Sequence, residues 1–284
     1  VFIFPDQLRA DFLGCYGADF IKTPNIDKLA DNGIRYQNAY SSSPVCVPAR
    51  TNLMTGMDAI SNGVASNAPA LRPDHQAAGI NTWPEILKEM EYYTSGIGKM
   101  HFYPWDRKNG FMYRSVTEDK RWLNVRDDYF HHLRESGLKK FHGNEHDGYH
   151  ENFGAVVSKL PWKHSWDHFV GTEACKFIDE YGEERPFAMM VGFPGPHDPY
   201  DPSDDFSESI PDINKMPEPI KGNPHDASKL KKGMIEGWKR PWADLDYEGL
   251  TTEKIMKMRS HYAALIQQID HEVGEIVKTL KKKN

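Results

Sequence analysis

The sequence is poor in cysteine, and it has neither a long apolar run nor an excess of positive charge. Cysteine occurs only at Cys15, Cys46 and Cys175, too few positions for a disulfide framework. The formal net charge is -6, which does not suggest a nucleic-acid surface. No apolar run approaches the roughly 20 residues of a membrane span. We therefore expect no nucleic-acid partner and no membrane-spanning segment.

The chain has the composition of a globular protein. It has 284 residues, of which 39% are hydrophobic and 12% aromatic. This length allows one large domain or two small ones. The chain begins inside an apolar run without an initiator methionine, and it ends directly after a helical pattern. We expect a single domain, 1–284, that is incomplete at both ends. A leader peptide could have preceded it, so the sequence does not indicate the cellular compartment of the protein.

Short apolar runs and helical patterns alternate along the chain. Buried strands are predicted at residues 1–4, 92–97 and 187–193. Helices are predicted at residues 24–32, 46–56, 83–90 and 252–280. Such alternation predicts an α/β fold in which a mostly parallel sheet is covered by helices on both faces.

Polar residues follow each predicted strand. Asp6 follows the first strand, Lys99 and His101 the second, and His197 the third. Ligands bind beyond the carboxyl ends of parallel strands, so we expect these side chains in one cleft. Lys99 and His101 are two apart in a segment expected to be extended, which would send both side chains the same way.

A second candidate site starts at Cys46. The motif Cys46-Val47-Pro48-Ala49-Arg50 is followed by Thr55-Gly56, as at the beginning and end of a helix. A helix N-terminus favours a bound anion such as sulfate or phosphate, and it favours a thiolate. Arg50 lies one turn further along the same face. The alternative is a structural cysteine beside a surface arginine.

Two long segments show little periodicity. Residues 103–170 and 198–250 are polar and rich in aromatic residues, proline and histidine. We interpret them as insertions over the strand ends, where the substrate would be selected.

The Cys-x-Pro-x-Arg motif with its downstream Thr-Gly resembles the sulfatase family. In that family the cysteine is oxidised to formylglycine, the catalytic nucleophile. The resemblance continues, in the family's order, through residues 6–17, 23–30, 33–44, 82–87, 98–101, 193–199 and 262–274. It implies an alkaline-phosphatase-like fold and makes the chain a catalytic N-terminal domain. The blocks at Asp6-Gln7 and 98–102 look closer to choline-sulfatase-like members.

The resemblance also implies catalytic roles. A maturation enzyme would convert Cys46, and one hydroxyl of the hydrated aldehyde would attack the sulfur of a small-molecule or glycan sulfate ester. Arg50 and His197 would be catalytic, with His197 on the leaving-group side. Lys99 and His101 would clamp the sulfate oxygens.

A divalent metal and one further substrate contact are implied as well. The metal ligands would be Asp6, Gln7 and the modified Cys46, with calcium preferred over magnesium or manganese. Gln7 departs from the commonest pattern, which has an aspartate there. Asn67, in a polar loop after the Cys46 helix, would reach the substrate.

Other functions of the superfamily stay open. The family's later Asp-His or Asp-Asn pair, which completes the metal site, has no match in this sequence, so we expect little activity from the isolated chain. One alternative is a phosphonate monoester or phosphodiester hydrolase. The presence of Lys99 and His101 argues against it. Another is a catalytically silent paralogue that binds sulfated glycans.

Overall fold

A four-stranded parallel sheet forms the centre of the computed structural model, which describes residues 1–68, 70–203, 205–206, 210–219, 245, 247 and 249–283. The strands are β1 (Phe2–Pro5), β2 (Tyr93–Gly98), β3 (Tyr113–Ser115) and β4 (Phe187–Phe193). Their order is β1-β4-β2-β3, and every neighbouring pair is parallel. All four carboxyl ends therefore lie at one edge of the sheet.

The register brings the ends of β1, β2 and β4 together. Pro5 pairs with Phe193, and Gly98 pairs with Gly192. Gly98 has φ +85°, and a Cβ there would lie 2.2 Å from the Gly192 carbonyl oxygen. Only glycine fits this left-handed backbone at such close range. The two glycines thus let β2 and β4 approach just before Lys99.

Seven α-helices surround the sheet in the described part of the chain. They are α1 (Pro24–Asp31), α2 (Cys46–Thr55), α3 (Ala59–Asn62), α4 (Trp83–Glu89), α5 (Asp128–Glu135), α6 (Trp166–Glu180) and α7 (Thr252–Lys283). α4 begins with a capping box between Thr82 and Glu85. Gly56 ends α2 with φ 67°. No described helix is both long and apolar enough to cross a membrane.

The sheet is packed on both faces, as the alternation of side chains along a strand requires. Met189 and Val191 of β4 pack with α6 and α7 in one buried cluster. Met190, which points to the other face, packs with Met54 of α2, and Trp83 of α4 contacts the same cluster. The result is a three-layer α/β arrangement in which α2 lies on one face, with its first residue near the strand ends.

The predicted elements are confirmed to within a few residues, and β4 has the predicted bounds. The elements that the sequence did not predict are β3, α3, α5 and α6. Residues 103–170, interpreted as an insertion, contain β3, which is an edge strand of the central sheet. Much of the second predicted insertion, 198–250, lies outside the described residues.

Candidate active site

Asp6 is the centre of a charged cluster at the end of β1. It is buried, and its Oδ2 lies 2.6 Å from Lys99 Nζ and 3.2 Å from an Arg50 guanidinium nitrogen. Burial alone would raise the pKa of this carboxyl group, but the charges of Lys99, Arg50 and His197 hold the pKa well below its usual range. Asp6 is therefore a carboxylate at any pH near neutral.

Arg50 connects α2 to the ends of two strands. Its guanidinium donates to the Lys99 carbonyl oxygen at 2.6 Å as well as to Asp6, and it lies 5.0 Å over the Phe4 ring. The residue is only 2% exposed. The interpretation of Arg50 as a surface arginine is therefore wrong.

Cys46 is the first residue of α2 and is partly buried, with Sγ 3.7 Å from Asp6 Oδ1. Burial and the adjacent Asp6 charge raise the pKa of the thiol. This shift is opposite to the one predicted from the helix N-terminus, so the prediction of a favoured thiolate is wrong. An unmodified Cys46 is a protonated thiol at neutral pH.

Asn67 caps the helix that carries Cys46. The N-cap residue, Val45, offers no side-chain acceptor, and Asn67 Oδ1 instead accepts a hydrogen bond from the Val47 N–H at 3.0 Å. The loop after α2 is thus fixed against its N-terminus. Val47, the residue that Asn67 binds, follows Cys46 directly in sequence. A contact between Asn67 and the substrate remains a proposal.

Lys99 is buried between two carboxylates. Its Nζ lies 2.6 Å from Asp6 and 2.9 Å from Asp119. Burial alone would lower the pKa of Lys99, but Asp119 and Asp6 raise it above its ordinary value. Asp119 is held in turn by two hydrogen bonds from Arg121, at 2.6 and 2.7 Å. The site is therefore a chain of alternating charges.

Residues 118–121 belong to this site and were missed by the sequence analysis. Glu118 accepts a hydrogen bond from the His101 N–H at 3.0 Å, and Lys120 Nζ lies 2.6 Å from Asp201. The segment follows β3, so the strand-end rule would have found it. However, β3 is only three residues long and reads Tyr-Arg-Ser, which gives no apolar run to detect.

His101 lies near the cluster but in a different backbone conformation from the one predicted. β2 ends at Gly98, and His101 has φ 57°, so the expectation of an extended segment through His101 is wrong. Its ring packs edge-to-face on Trp122, with centroids 5.0 Å apart. Burial and the Lys99 charge lower the pKa of His101 to about 3, so the ring is neutral at neutral pH.

His197 approaches the cluster from the loop after β4. Its Nδ1 lies 2.8 Å from the Asp198 carbonyl oxygen, which can only accept, so Nδ1 carries a proton and Nε2 is left for chemistry. The Asp167 carboxylate accepts from the Gly195 N–H at 2.9 Å and fixes the start of this loop. The structure thus brings His197 to the site, as predicted from the strand ends.

Gln7 is next to Asp6 in sequence and lines the neighbouring cavity. It is exposed with φ 66°, and its carbonyl oxygen accepts a hydrogen bond from Tyr262 Oη at 2.7 Å. Its side chain makes no hydrogen bond to Asp6 or Cys46 among the described contacts. A role for Gln7 as a metal ligand remains a proposal.

The fit to a divalent metal is partial. Asp6 Oδ2 forms ion pairs with both Lys99 and Arg50. Among the described side chains, Oδ1 has a hydrogen-bond contact with the Cys46 sulfur. An ionised oxygen that faces residue 46 suits one side of a calcium or magnesium site. Within the described ranges, however, no three His, Cys, Asp or Glu side chains converge to hold a metal ion. These residues alone do not complete a metal site.

A cavity of about 1030 Å³ opens beside the cluster. At its inner end it is lined by Gln7, Arg121, His197 and Asp198. A cavity of this size accommodates a ligand as large as a disaccharide or a drug-sized molecule. Of the predicted site residues, Gln7 and His197 therefore lie at the wall of a substrate-sized space.

The sulfatase family profile matches residues 1–284, the whole chain. The chain belongs to the sulfatase family. It is 28% identical to the arylsulfatase of Clostridium perfringens and 29% identical to the choline-sulfatase of Rhizobium meliloti. Each match covers 99% of this chain, but 59% and 53% of those proteins. This sulfatase-family chain thus spans little more than half the length of these relatives.

Solved structures show the same fold. The phosphonate monoester hydrolase of Agrobacterium radiobacter superposes with a TM-score of 0.78 at 19% identity, over 99% of this chain and 58% of that one. The putative sulfatase YidJ of Bacteroides fragilis superposes with a TM-score of 0.58 at 25% identity, over 100% and 58%. The predicted sulfatase family and alkaline-phosphatase-like α/β fold are confirmed.

Proposed function

We propose that the protein hydrolyses an organic sulfate ester to an alcohol and sulfate. The observation that carries this proposal is the charge of the buried cluster beside Cys46. Three cations, Arg50, Lys99 and Arg121, face two carboxylates, Asp6 and Asp119. One positive charge is left over at a helix N-terminus, which suits a sulfate group.

The nucleophile would be formylglycine derived from Cys46, made by a maturation enzyme. The modification supplies a hydroxyl, on the hydrated aldehyde, that attacks sulfur. The environment of Cys46 supports a formylglycine nucleophile over direct attack by the cysteine thiol. Burial and Asp6 raise the pKa of the thiol, and a protonated thiol is a poor nucleophile. Arg50 would hold Asp6 and the turn of β2 in place around the reactive residue.

The remaining residues would bind sulfate and release the alcohol. Lys99 would place its charge against a sulfate oxygen, and the neutral His101 ring would donate a hydrogen bond to another. His197, protonated on Nε2 and held at Nδ1 by Asp198, would give its proton to the departing oxygen as its bond to sulfur breaks. Asn67 would act at the N-terminus of α2, where it already binds the backbone.

A divalent cation, with calcium preferred over magnesium or manganese, fits this function. Asp6 and residue 46 would be ligands from this chain, with Gln7 as a third candidate. When bound, the cation would neutralise charge on sulfate oxygens. The other ligands would come from outside the described residues.

A second candidate is hydrolysis of phosphonate monoesters or phosphodiesters. The fold similarity to a phosphonate monoester hydrolase, with a TM-score of 0.78, supports keeping it. An anion-binding cluster does not by itself distinguish phosphorus from sulfur, because both esters present negatively charged oxygens. The Lys99 and His101 pair favours the sulfate ester.

Two measurements on the full-length protein test the proposal. Mass spectrometry of the peptide that contains Cys46, from a host with the maturation enzyme, should show the loss of mass of thiol-to-aldehyde conversion. Rates on 4-nitrophenyl sulfate and 4-nitrophenyl phenylphosphonate should favour the sulfate. A faster phosphonate reaction would support the second candidate. An intact thiol without turnover of either ester would favour a silent glycan-binding protein.

A further inference from the structure

The substrate cavity carries an unusual set of charges. Of the described side chains that line it, Arg9, Lys120, Arg121 and Arg259 are cationic, whereas Asp198 is acidic. A cavity with this excess of positive charge disfavours a cationic ligand and attracts an anionic one. The question is which of the four cations is available to a ligand.

Three of the four cations are already neutralised. Each has a carboxylate within 2.7 Å in the described structure. The pairs are Arg9 with Asp11, Lys120 with Asp201, and Arg121 with Asp119. Each of these three side chains therefore already has an acidic partner within the protein.

Arg259, on α7, is different. Its Nε is buried without a hydrogen-bond partner, and no carboxylate in the described part of the chain forms an ion pair with it. Burial and the neighbouring Arg9 lower its pKa, and the Asp11 carboxylate, which pairs with Arg9, opposes this only in part. A partly buried guanidinium without an ion pair of its own is costly, and an anionic ligand would remove that cost.

The wall around Arg259 is built to hold it in place. The guanidinium lies 4.9 Å over the Phe12 ring, and Arg9 lies over the same ring at 5.7 Å. Tyr262 packs edge-to-face on Phe12, and its hydroxyl accepts a hydrogen bond from the Arg9 N–H at 2.9 Å. The same hydroxyl donates to the Gln7 carbonyl oxygen, which links this wall to the residue after Asp6.

We propose that Arg259 binds a second anionic group on the substrate, so that the preferred substrate is a sulfate ester whose alcohol carries a carboxylate or another sulfate. This inference rests on the proposed sulfate-ester hydrolysis and adds the class of alcohol. The reacting sulfate lies at the His197 end of the cavity, and the second anion lies against Arg259. A quaternary ammonium alcohol, which would place a cation beside Arg259, is disfavoured.

The test compares four aryl sulfates that differ in one substituent of the ring: a carboxamide, a carboxylate, a second sulfate and a trimethylammonium group. Each is assayed with the native full-length protein and with Arg259→Gln. The intrinsic reactivity of a substrate is the same with both proteins, so the native-to-variant ratio of kcat/KM cancels it. The carboxylate and disulfate arms identify which anion is bound.

We expect the ratio for the carboxylate or the disulfate to exceed the ratio for the carboxamide by about tenfold, as for the loss of one charge-assisted hydrogen bond. The trimethylammonium ratio should lie below the carboxamide ratio. Arg259→Lys, which keeps the charge, should recover part of the preference. Arg134→Gln, at an exposed arginine on α5, is the matched control and should give the same ratio for all four esters.

Equal ratios for all four esters with Arg259→Gln would overturn the subsite. A calorimetric titration of the four phenols that loss of the reacting sulfate would leave distinguishes failure of the subsite from failure of the proposed function. If no ester is hydrolysed but the anionic phenols bind more weakly to Arg259→Gln than to the native protein, the subsite stands and sulfate-ester hydrolysis does not. If the carboxamide ester is hydrolysed without any anion preference, hydrolysis stands and the subsite does not.

Discussion

The two ends of the cleft differ in how their charged side chains are paired. At the inner end, Lys99 is 1% exposed and lies within 3 Å of two carboxylates, Asp6 and Asp119. At the outer end, Arg259 lines the open cavity and has no ion pair with the described residues. Where the chemistry is proposed to occur, each cation has a carboxylate partner within the protein, although the cluster keeps one net positive charge. Where the alcohol would bind, Arg259 has no ion pair with a described residue.

This difference separates positioning from recognition. Charges that are paired inside the protein need no rearrangement when the substrate arrives, so they can be aimed in advance at the reacting group. A charge left without a partner gains most from a ligand that supplies one, so it discriminates between ligands. The inner end should therefore govern the rate, and the outer end should govern which ester is chosen.

The largest effect should come from Cys46→Ala. The substitution removes the proposed nucleophile, so sulfate-ester turnover by the full-length protein should fall by roughly 10³-fold or more. The thermal midpoint should change little, because the side chain at residue 46 makes one weak hydrogen bond, at 3.7 Å, in the described part of the chain. Turnover and melting are measured on the same preparation. Undiminished turnover by the alanine variant would refute a nucleophile at residue 46.

A smaller loss is expected from Asp119→Asn, which tests whether the charge pairing at the inner end controls the rate. Asp119 raises the pKa of Lys99, so its neutral analogue should lower that pKa. The alkaline limb of the pH–rate profile should then shift to lower pH, and kcat/KM should fall by about 10- to 100-fold as Lys99 loses its position.

Asp270→Asn is the matched control for this variant. Asp270 is also buried, but it accepts hydrogen bonds from the Asn25 and Ile26 N–H groups at the start of α1 rather than from residues of the proposed active site. It should destabilise the protein by a similar amount and leave the pH–rate profile in place. Identical profiles for the two variants would mean that Asp119 is merely structural.

Glu118→Gln should change stability in a pH-dependent way. Burial raises the pKa of Glu118 from 4.5 to about 7. Between these values the folded protein binds more protons than the unfolded chain, so the stability from this group is full below about pH 4.5 and is lost as pH rises through 7. Glutamine does not titrate. Between pH 4.5 and 8, the free energy of unfolding should therefore fall by up to about 3 kcal/mol less in the variant than in the native protein.

Urea unfolding at several pH values measures this difference. Asp167, whose pKa burial raises to about 6, is present in both proteins, so its contribution cancels in the comparison. Parallel curves of unfolding free energy against pH would show that Glu118 is ionised throughout in the folded protein.

The strand-end argument found part of the inner end of the cleft and missed Asp119 and Arg259 for a physical reason. Asp6, Lys99 and His197 follow apolar runs of buried strand, which a sequence shows plainly. Asp119 follows a three-residue edge strand without an apolar run, and Arg259 is one polar residue on a long helix. Their importance comes from what the fold places around them, which no local pattern records.

The same limit explains the wrong prediction at Cys46. A helix N-terminus is visible in the sequence, and it favours a thiolate. The opposing effects, burial and the Asp6 carboxylate 3.7 Å away, arise only from tertiary packing. The sequence therefore indicated the family, and it misjudged the direction in which the pKa of the Cys46 thiol is shifted.

A change in salt concentration should produce the smallest effect. It tests directly whether the charges at the two ends of the cleft differ in their exposure to solvent. The Debye length falls from about 10 Å at 0.1 M salt to about 3 Å at 1 M, so exposed charges are screened and buried pairs are not. Between these concentrations the KM for a carboxylate-bearing or doubly sulfated ester should rise about threefold more than the KM for the neutral ester, with kcat unchanged. In Arg259→Gln the extra rise should disappear. A fall in kcat that matches the rise in KM would instead mean that salt reaches Lys99 and Asp6, and that the inner end is as open as the outer one.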